Sequence, residues 1–119
     1  MKRSGSNLAA LLFLLGGCLA VTGARVEAEH NEKAIARGKE VYKEQKCSMC
    51  HSIADVGNKK GPLDDVGKRL TAEEIKTWIV DPKTMTEKTK AARKPMMKAY
   101  STLSKEDLEA LVAYMQSLK

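Results

Sequence analysis

Apolar residues recur at intervals of three and four in three stretches of the chain, a spacing that places side chains on one face of a helix. The first stretch covers residues 32–44, the second begins at Thr71, and the third runs from Ser104 to the C-terminus. The apolar faces of these predicted helices comprise, in order, Ala34, Ile35, Gly38, Val41 and Tyr42; Leu70, Ile75, Trp78 and Ile79; and Leu108, Leu111, Val112, Met115 and Leu118. Strand-like alternation is not found in the sequence, so the pattern predicts an all-α protein.

Local signals mark the ends of the second helix and a close contact in the first. Thr71 is followed three residues later by Glu74, a capping-box pattern that satisfies free N–H groups at a helix start. Asp81-Pro82 is expected to end this helix, because the residue before a proline disfavours the helical conformation. Gly38 costs about 1 kcal/mol inside a helix relative to alanine, so we expect it to serve close packing.

Two long connections and one short helix complete the prediction. A short helix is expected over residues 47–51, followed by a loop over residues 52–69. Residues 82–103 are expected to form a second loop, which is long for a compact domain and therefore typical of a functional segment.

The N-terminal segment has the organisation of an export signal. Lys2 and Arg3 form a charged start, residues 8–21 form an apolar stretch, and Val26-Glu27-Ala28 is a small-residue cleavage site. The apolar stretch is too short to span a bilayer comfortably. We therefore predict a signal peptide over residues 1–28 and one small domain over residues 29–119.

Cys18 leaves two possibilities for the mature N-terminus. Leu15-Gly16-Gly17-Cys18 resembles the bacterial lipobox, in which cleavage before the cysteine leaves a lipid-modified residue that can tether the protein to a membrane. Alternatively, Cys18 is an apolar filler of the signal peptide and the mature protein is soluble. Both interpretations predict a bacterial protein that works in the periplasm.

Composition limits the partners and the size of the core. The 119-residue chain has a formal net charge of +6, which falls to +4 once residues 1–28 are removed. This modest excess, without a basic stripe interleaved with aromatic residues, does not favour nucleic-acid binding. The aromatic residues beyond the predicted signal are few: Tyr42, Trp78, Tyr100 and Tyr114. Because so small a domain is marginal on its own core, a buried prosthetic group would supply the missing apolar mass.

Cys47-Ser48-Met49-Cys50-His51 is a C-x-x-C-H motif, the pattern of covalent haem attachment. On a helix, Cys50 and His51 follow Cys47 by three and four residues, so the three side chains project from one face. The two thiols can then form thioether bonds to the porphyrin, while the imidazole is directed at the iron from the same side. The motif predicts one haem c bound through Cys47 and Cys50, with His51 as the proximal iron ligand.

Three other interpretations of the motif fit the sequence less well. A structural zinc site needs a second pair of ligands, and the remaining candidates are Cys18, in the apolar segment, and His30. A thioredoxin-like dithiol belongs to a βαβ pattern, which the sequence lacks. Two buried cysteines with an incidental histidine would leave the specific spacing unexplained.

From about Ala34 to Lys119 the chain resembles the class I c-type cytochromes, which are small monohaem proteins. The likeness rests on four stretches: Gly38-Lys39-Glu40-Val41-Tyr42, Cys47 to His51, Gly61-Pro62-Leu63, and Met97-Lys98-Ala99-Tyr100 leading into Leu103-Ser104-Lys105-Glu106-Asp107. The resemblance implies a small cytochrome c fold, with three to five helices wrapped around one haem c. It also implies that Gly38 meets Tyr114 where the first and last helices cross, and that the Pro62 carbonyl accepts a hydrogen bond from His51.

In this family the distal iron ligand is a methionine shortly before the last helix. Met97 fits that register, since an aromatic residue follows it by three positions, whereas Met96 fits less well. Lysine follows Met97 where the family usually has proline, so Met96, His30, a lysine or an open site remain alternatives. Trp78 and Tyr100 are expected to pack near the haem.

The resemblance implies a one-electron carrier rather than an enzyme. With histidine and methionine filling both axial positions, the iron offers no place for a small-molecule substrate. The expected partners are redox proteins of a respiratory chain, and five cationic residues of the second long connection are candidates for docking them: Lys88, Lys90, Arg93, Lys94 and Lys98. The alternative is a haem c subunit of a larger redox complex, of the sulfur-oxidising or terminal-oxidase type.

Overall fold

The computed structural model describes residues 22–119. Five α-helices, a 3₁₀ turn and a two-residue hairpin follow one another in this part of the chain. In order, they are α1 (Thr22–Glu44), the 3₁₀ turn (Cys47–Met49), β1 (Ser52–Ile53), β2 (Val56–Gly57), α2 (Val66–Arg69), α3 (Ala72–Val80), α4 (Pro82–Thr89) and α5 (Lys105–Ser117). The predicted all-α class is confirmed.

Helices α1 and α5 cross at close range, as the resemblance to the c-type cytochromes implied. A Cβ atom placed on Gly38 would collide with the Ala110 carbonyl and lie 2.6 Å from the Tyr114 Cβ atom, so glycine is what permits this approach. The two rings of Tyr42 and Tyr114 meet edge to face at 6.0 Å between centroids. The crossing therefore fixes one side of the core, whose buried apolar residues are Val41, Tyr42, Val66, Ile75, Ile79, Leu111 and Met115.

An ion pair outside the core joins the same two helices. Arg37 of α1 donates a hydrogen bond of 2.7 Å to Asp107 of α5, and a second of 2.9 Å to Glu44 of its own helix. The hydrogen bond from Arg37 lowers the pKa of Asp107.

Helix α3 has the predicted ends. Thr71 Oγ1 accepts a hydrogen bond from the Glu74 N–H, while the Glu74 carboxylate accepts one from the Thr71 N–H. Its last residue is Val80, and Asp81 follows as the cap.

The prediction of a structureless loop over residues 82–103 is wrong for its first third. Asp81 caps the start of α4, where its carboxylate accepts a hydrogen bond from the Thr84 N–H, and Pro82 occupies the first turn. Proline suits this position because its fixed φ is helical and its missing N–H would have had no partner in the helix. The same dipeptide thus ends α3 and begins α4.

Helix α1 begins ten residues earlier than predicted and runs through the expected cleavage site at Ala28 without a break. Residues 26–33 are exposed on every side, so this part of the helix carries no apolar face that periodicity could detect. Most of the predicted signal peptide, including Cys18, lies outside the described residues, and the processing site stays a prediction. Within residues 22–119, no helix is both long and apolar enough to cross a membrane.

Residues 52–69 are more ordered than the predicted loop. Ser52 and Ile53 pair with Gly57 and Val56 in a short antiparallel hairpin. Helix α2 follows and packs against the end of α5, where the Gly67 N–H donates to the Leu118 carbonyl. These pieces close one side of a cavity.

Candidate functional site

A cavity of about 420 Å³ lies among the helices and is lined by both long connecting regions, residues 52–69 and 82–103, by the turn that carries Cys47 to His51, and by the core faces of the helices. Its size is typical of a pocket for a cofactor or small molecule. Most of its wall is apolar, with contributions from Val66, Leu70, Ile75, Ile79 and Leu111. Cys47, Cys50, His51, Trp78, Met96 and Met97 also line it, so the structure brings together most residues that the sequence singled out.

The C-x-x-C-H motif forms a single tight turn at the cavity wall. Lys46, which lies between the end of α1 and this turn, adopts the left-handed conformation with φ of 54° and redirects the chain. The N–H groups of Cys50 and His51 then both donate to the Cys47 carbonyl, at 3.1 and 3.0 Å. This turn lets the three side chains reach the same cavity.

The two cysteines are free thiols with different surroundings. Cys47 is half-buried and Cys50 is exposed. Burial raises the pKa of the Cys47 thiol to about 11, so it is protonated at neutral pH. Two free thiols in the wall of one cavity match the donor set that covalent haem attachment requires.

The His51 ring is oriented by a backbone carbonyl. Its Nδ1 lies 3.0 Å from the Gly61 oxygen, so in the neutral tautomer Nδ1–H donates and the other ring nitrogen keeps its lone pair free. The expected acceptor was the Pro62 carbonyl, and this prediction is wrong by one residue.

The surroundings of His51 favour the neutral imidazole. Burial lowers its pKa, the hydrogen bond to Gly61 raises it, and the positive charge of Arg93 lowers it again. Because only the neutral ring has a lone pair to donate, this environment favours ligation of a metal.

Met96 and Met97 both line the cavity, but they differ in burial. Met97 is half-buried and packs against the hydrophobic core, whereas Met96 is 51% exposed. Met97 is therefore the more buried of the two methionines at the cavity wall, and its assignment as the distal ligand stays a prediction. His30, an alternative ligand, is exposed on α1 and does not line the cavity.

The two aromatic residues expected near the haem have different positions. Trp78 lines the cavity from α3. Tyr100 does not line it; its ring packs against the core, and its N–H donates to the Ile79 carbonyl at 2.8 Å. Tyr100 therefore anchors the segment that carries Met97 to the end of α3.

Sequence reasoning did not identify the remaining polar residues at the cavity. Tyr42 lies at its wall, with its hydroxyl 3.5 Å from the His51 carbonyl. Three cationic side chains also line it: Lys60, Arg69 and Arg93. Haem carries two propionate groups, so an apolar cavity edged with cations fits a molecule of this kind. Only the crowding of basic residues after α4 hinted at Arg93.

Comparisons with known proteins agree with this geometry. The family model described as Cytochrome c matches residues 35–119. A curated relative named cytochrome c oxidase subunit 2, from Alkalihalophilus pseudofirmus, is 32% identical over 109 residues. The match covers 83% of the chain and 30% of the relative, so the chain spans less than a third of that protein's length. No solved structure matches the chain.

Proposed function

The chain belongs to the cytochrome c family, and we propose that it carries single electrons between respiratory-chain proteins by means of one haem c. Membership of the family implies haem-based electron transfer, and the observed all-α architecture is that of a cytochrome c domain. The finer points are the proposal: one haem, its covalent attachment, its ligands and its partners.

One observation carries this proposal: His51 and Met97, from segments far apart in sequence, line the same apolar cavity as two free thiols. Each side chain would have a distinct task. Cys47 and Cys50 would hold the haem through thioether bonds, so that it cannot dissociate. His51 would provide the proximal nitrogen, and Met97 the distal sulfur.

The bound haem would supply a one-electron couple between Fe(III) and Fe(II). The residues around it determine how readily that couple operates. The Gly61 carbonyl fixes the His51 ring and raises its basicity. A thioether from Met97 is a weak, soft ligand, which favours the reduced form and raises the potential. The apolar wall excludes water and also raises the potential, because it disfavours the additional charge of the oxidised form.

Exposed positive charges support the proposal that the redox partners have acidic surfaces. Five cationic side chains are exposed on the stretch that ends α4 and carries Met97: Lys88, Lys90, Arg93, Lys94 and Lys98. Positive charges beside the cavity opening would steer an acidic surface towards it and increase the association rate. Salt should then slow electron exchange with such a partner.

We place the mature protein in the periplasm, either soluble or tethered through a lipidated Cys18. This part of the proposal rests on the charged start, the apolar stretch and the cleavage site of residues 1–28. The intact mass of the secreted protein tests it, because cleavage after Ala28 and lipidation at Cys18 leave different N-termini.

A haem c subunit of a larger complex is the second candidate. The name of the curated relative, cytochrome c oxidase subunit 2, favours a terminal oxidase over a sulfur-oxidising complex. Gentle solubilisation of the host membranes separates the candidates, since a carrier should elute alone at moderate salt, while a fixed subunit should co-elute with oxidase activity.

A spectroscopic redox titration tests the function that both candidates share. The purified protein should change reversibly between two spectra, with a one-electron dependence of about 59 mV per tenfold change in the ratio of the two forms. An irreversible change, or efficient turnover of peroxide by the oxidised protein, would contradict an electron-transfer role.

A further inference from the structure

The segment that carries the distal methionines has few attachments to the rest of the protein. At its start, the Ala91 N–H donates to the Thr86 carbonyl at 3.1 Å; at its end, the Tyr100 N–H donates to Ile79. Within the described part of the chain, residues 92–99 make no backbone hydrogen bond between those two points. Such a segment would be expected to open easily.

One side chain bridges this gap. Arg93 Nη2 donates a hydrogen bond of 2.5 Å to the Cys50 carbonyl, 43 residues earlier in the chain. Among the described residues, no other hydrogen bond connects residues 92–99 to the rest of the structure. It joins the methionine-bearing segment directly to the turn that carries Cys50 and His51.

Gly61 makes room for this bridge. A Cβ atom at residue 61 would collide with the Arg93 guanidinium and with the Cys50 carbonyl. The same glycine supplies the carbonyl that orients His51. Arg93, Cys50 and Gly61 therefore meet at one point on the rim of the cavity, where the proximal and distal segments approach each other.

We infer that Arg93 is a positioning residue that clamps the distal segment across the cavity mouth and thereby holds Met97 on the iron. The inference rests on the proposed function, because it assumes a haem in the cavity. Its physical basis is a charged hydrogen bond between two segments that otherwise have no hydrogen bond to each other. Loss of this bond should make opening of the distal segment easier without altering the ligands themselves.

Cyanide binding to the oxidised holoprotein measures this opening, since cyanide reaches the iron only after the distal ligand has left. Arg93→Gln should increase the binding rate by about tenfold, the effect of one charged hydrogen bond on an equilibrium. Lys94→Gln is the matched control: it removes the same charge from the adjacent exposed residue, and its rate should remain within about twofold of the parent's. Arg93→Lys keeps the charge and one donor and should fall between Arg93→Gln and the parent.

Hydrogen exchange of the same holoproteins provides a second readout. Peptides that cover residues 92–99 should exchange faster in Arg93→Gln than in Lys94→Gln, while those from α5 should be unchanged. Equal rates for the two glutamine variants in both measurements would overturn the clamp. If the unsubstituted protein carries no covalent haem, the proposed function is refuted and the role of Arg93 as a clamp is refuted with it.

Discussion

The contact between α1 and α5 at Gly38 predicts a stability effect whose sign opposes that of helix propensity. An alanine at residue 38 would place its methyl group 2.6 Å from the Tyr114 Cβ atom and in collision with the Ala110 carbonyl. Carbon atoms pack at about 3.5–4.0 Å, so the helices would have to separate by about 1 Å. Two of the colliding atoms belong to the α5 backbone, which cannot rotate away.

The expected magnitude follows from two opposing contributions. Overpacking of this kind costs about 1–3 kcal/mol, whereas replacement of glycine by alanine inside a helix gains about 1 kcal/mol. The clash with backbone atoms places the cost of overpacking in the upper part of its range, about 2–3 kcal/mol. After the gain in helix propensity is subtracted, we expect Gly38→Ala to lower the free energy of unfolding by about 1–2 kcal/mol. Tyr42 and Tyr114 meet beside the crossing, so their edge-to-face contact should loosen as well.

Urea unfolding of the holoprotein, followed by circular dichroism, measures this change. Ala36→Gly, at an exposed position of the same helix, is the control; it should cost about 1 kcal/mol through propensity alone. If Gly38→Ala instead raises the midpoint by as much as Ala36→Gly lowers it, the helices do not meet at Gly38 as closely as described, and the packing argument fails.

Three further predictions concern the distal ligand, a helix cap and an ion pair. Met97→Leu should abolish the faint far-red sulfur-to-iron band of the oxidised protein, and Met96→Leu should leave it; the reverse result would make Met96 the ligand. Thr71→Ala should cost about 1 kcal/mol in thermal unfolding because α3 loses its cap, whereas Thr71→Ser should preserve the stability. The pKa of Asp107 is lowered by Arg37, so the pair stabilises the fold fully above the ordinary carboxyl pKa of about 3.9 and loses that effect as the pH falls through the lowered value. Asp107→Asn should therefore reduce the urea midpoint at about pH 7, and this reduction should shrink progressively as the pH falls below the ordinary carboxyl pKa of about 3.9; a reduction that does not change with pH would count against the pair.

Periodicity and caps predicted the parts of the fold that bury a continuous apolar face. Helix α4 was missed because Pro82 and Met85 are its buried residues, too few to produce a helical period. The signal for it was nevertheless present, since an aspartate before a proline can cap a new helix as well as end the previous one. Residues 26–33 of α1 were missed for the related reason that they are exposed on all sides.

The candidate site was predictable where a motif dictates the chemistry and less so where tertiary contacts decide. The C-x-x-C-H spacing is sufficient to bring Cys47, Cys50 and His51 to one wall. By contrast, no sequence rule distinguishes the Gly61 carbonyl from that of Pro62 as the partner of His51, because the choice depends on how the hairpin turns. The role of Arg93 depends on a contact across 43 positions of sequence, which a local pattern cannot reveal.

The central claim is that one haem is attached covalently through Cys47 and Cys50. The most direct test is mass spectrometry of the purified protein after acid-acetone extraction, followed by peptide mapping. We predict that one haem mass stays with the chain and maps to the peptide that contains both cysteines and His51. A chain without added mass, with haem released into the supernatant or with none present, would contradict the account.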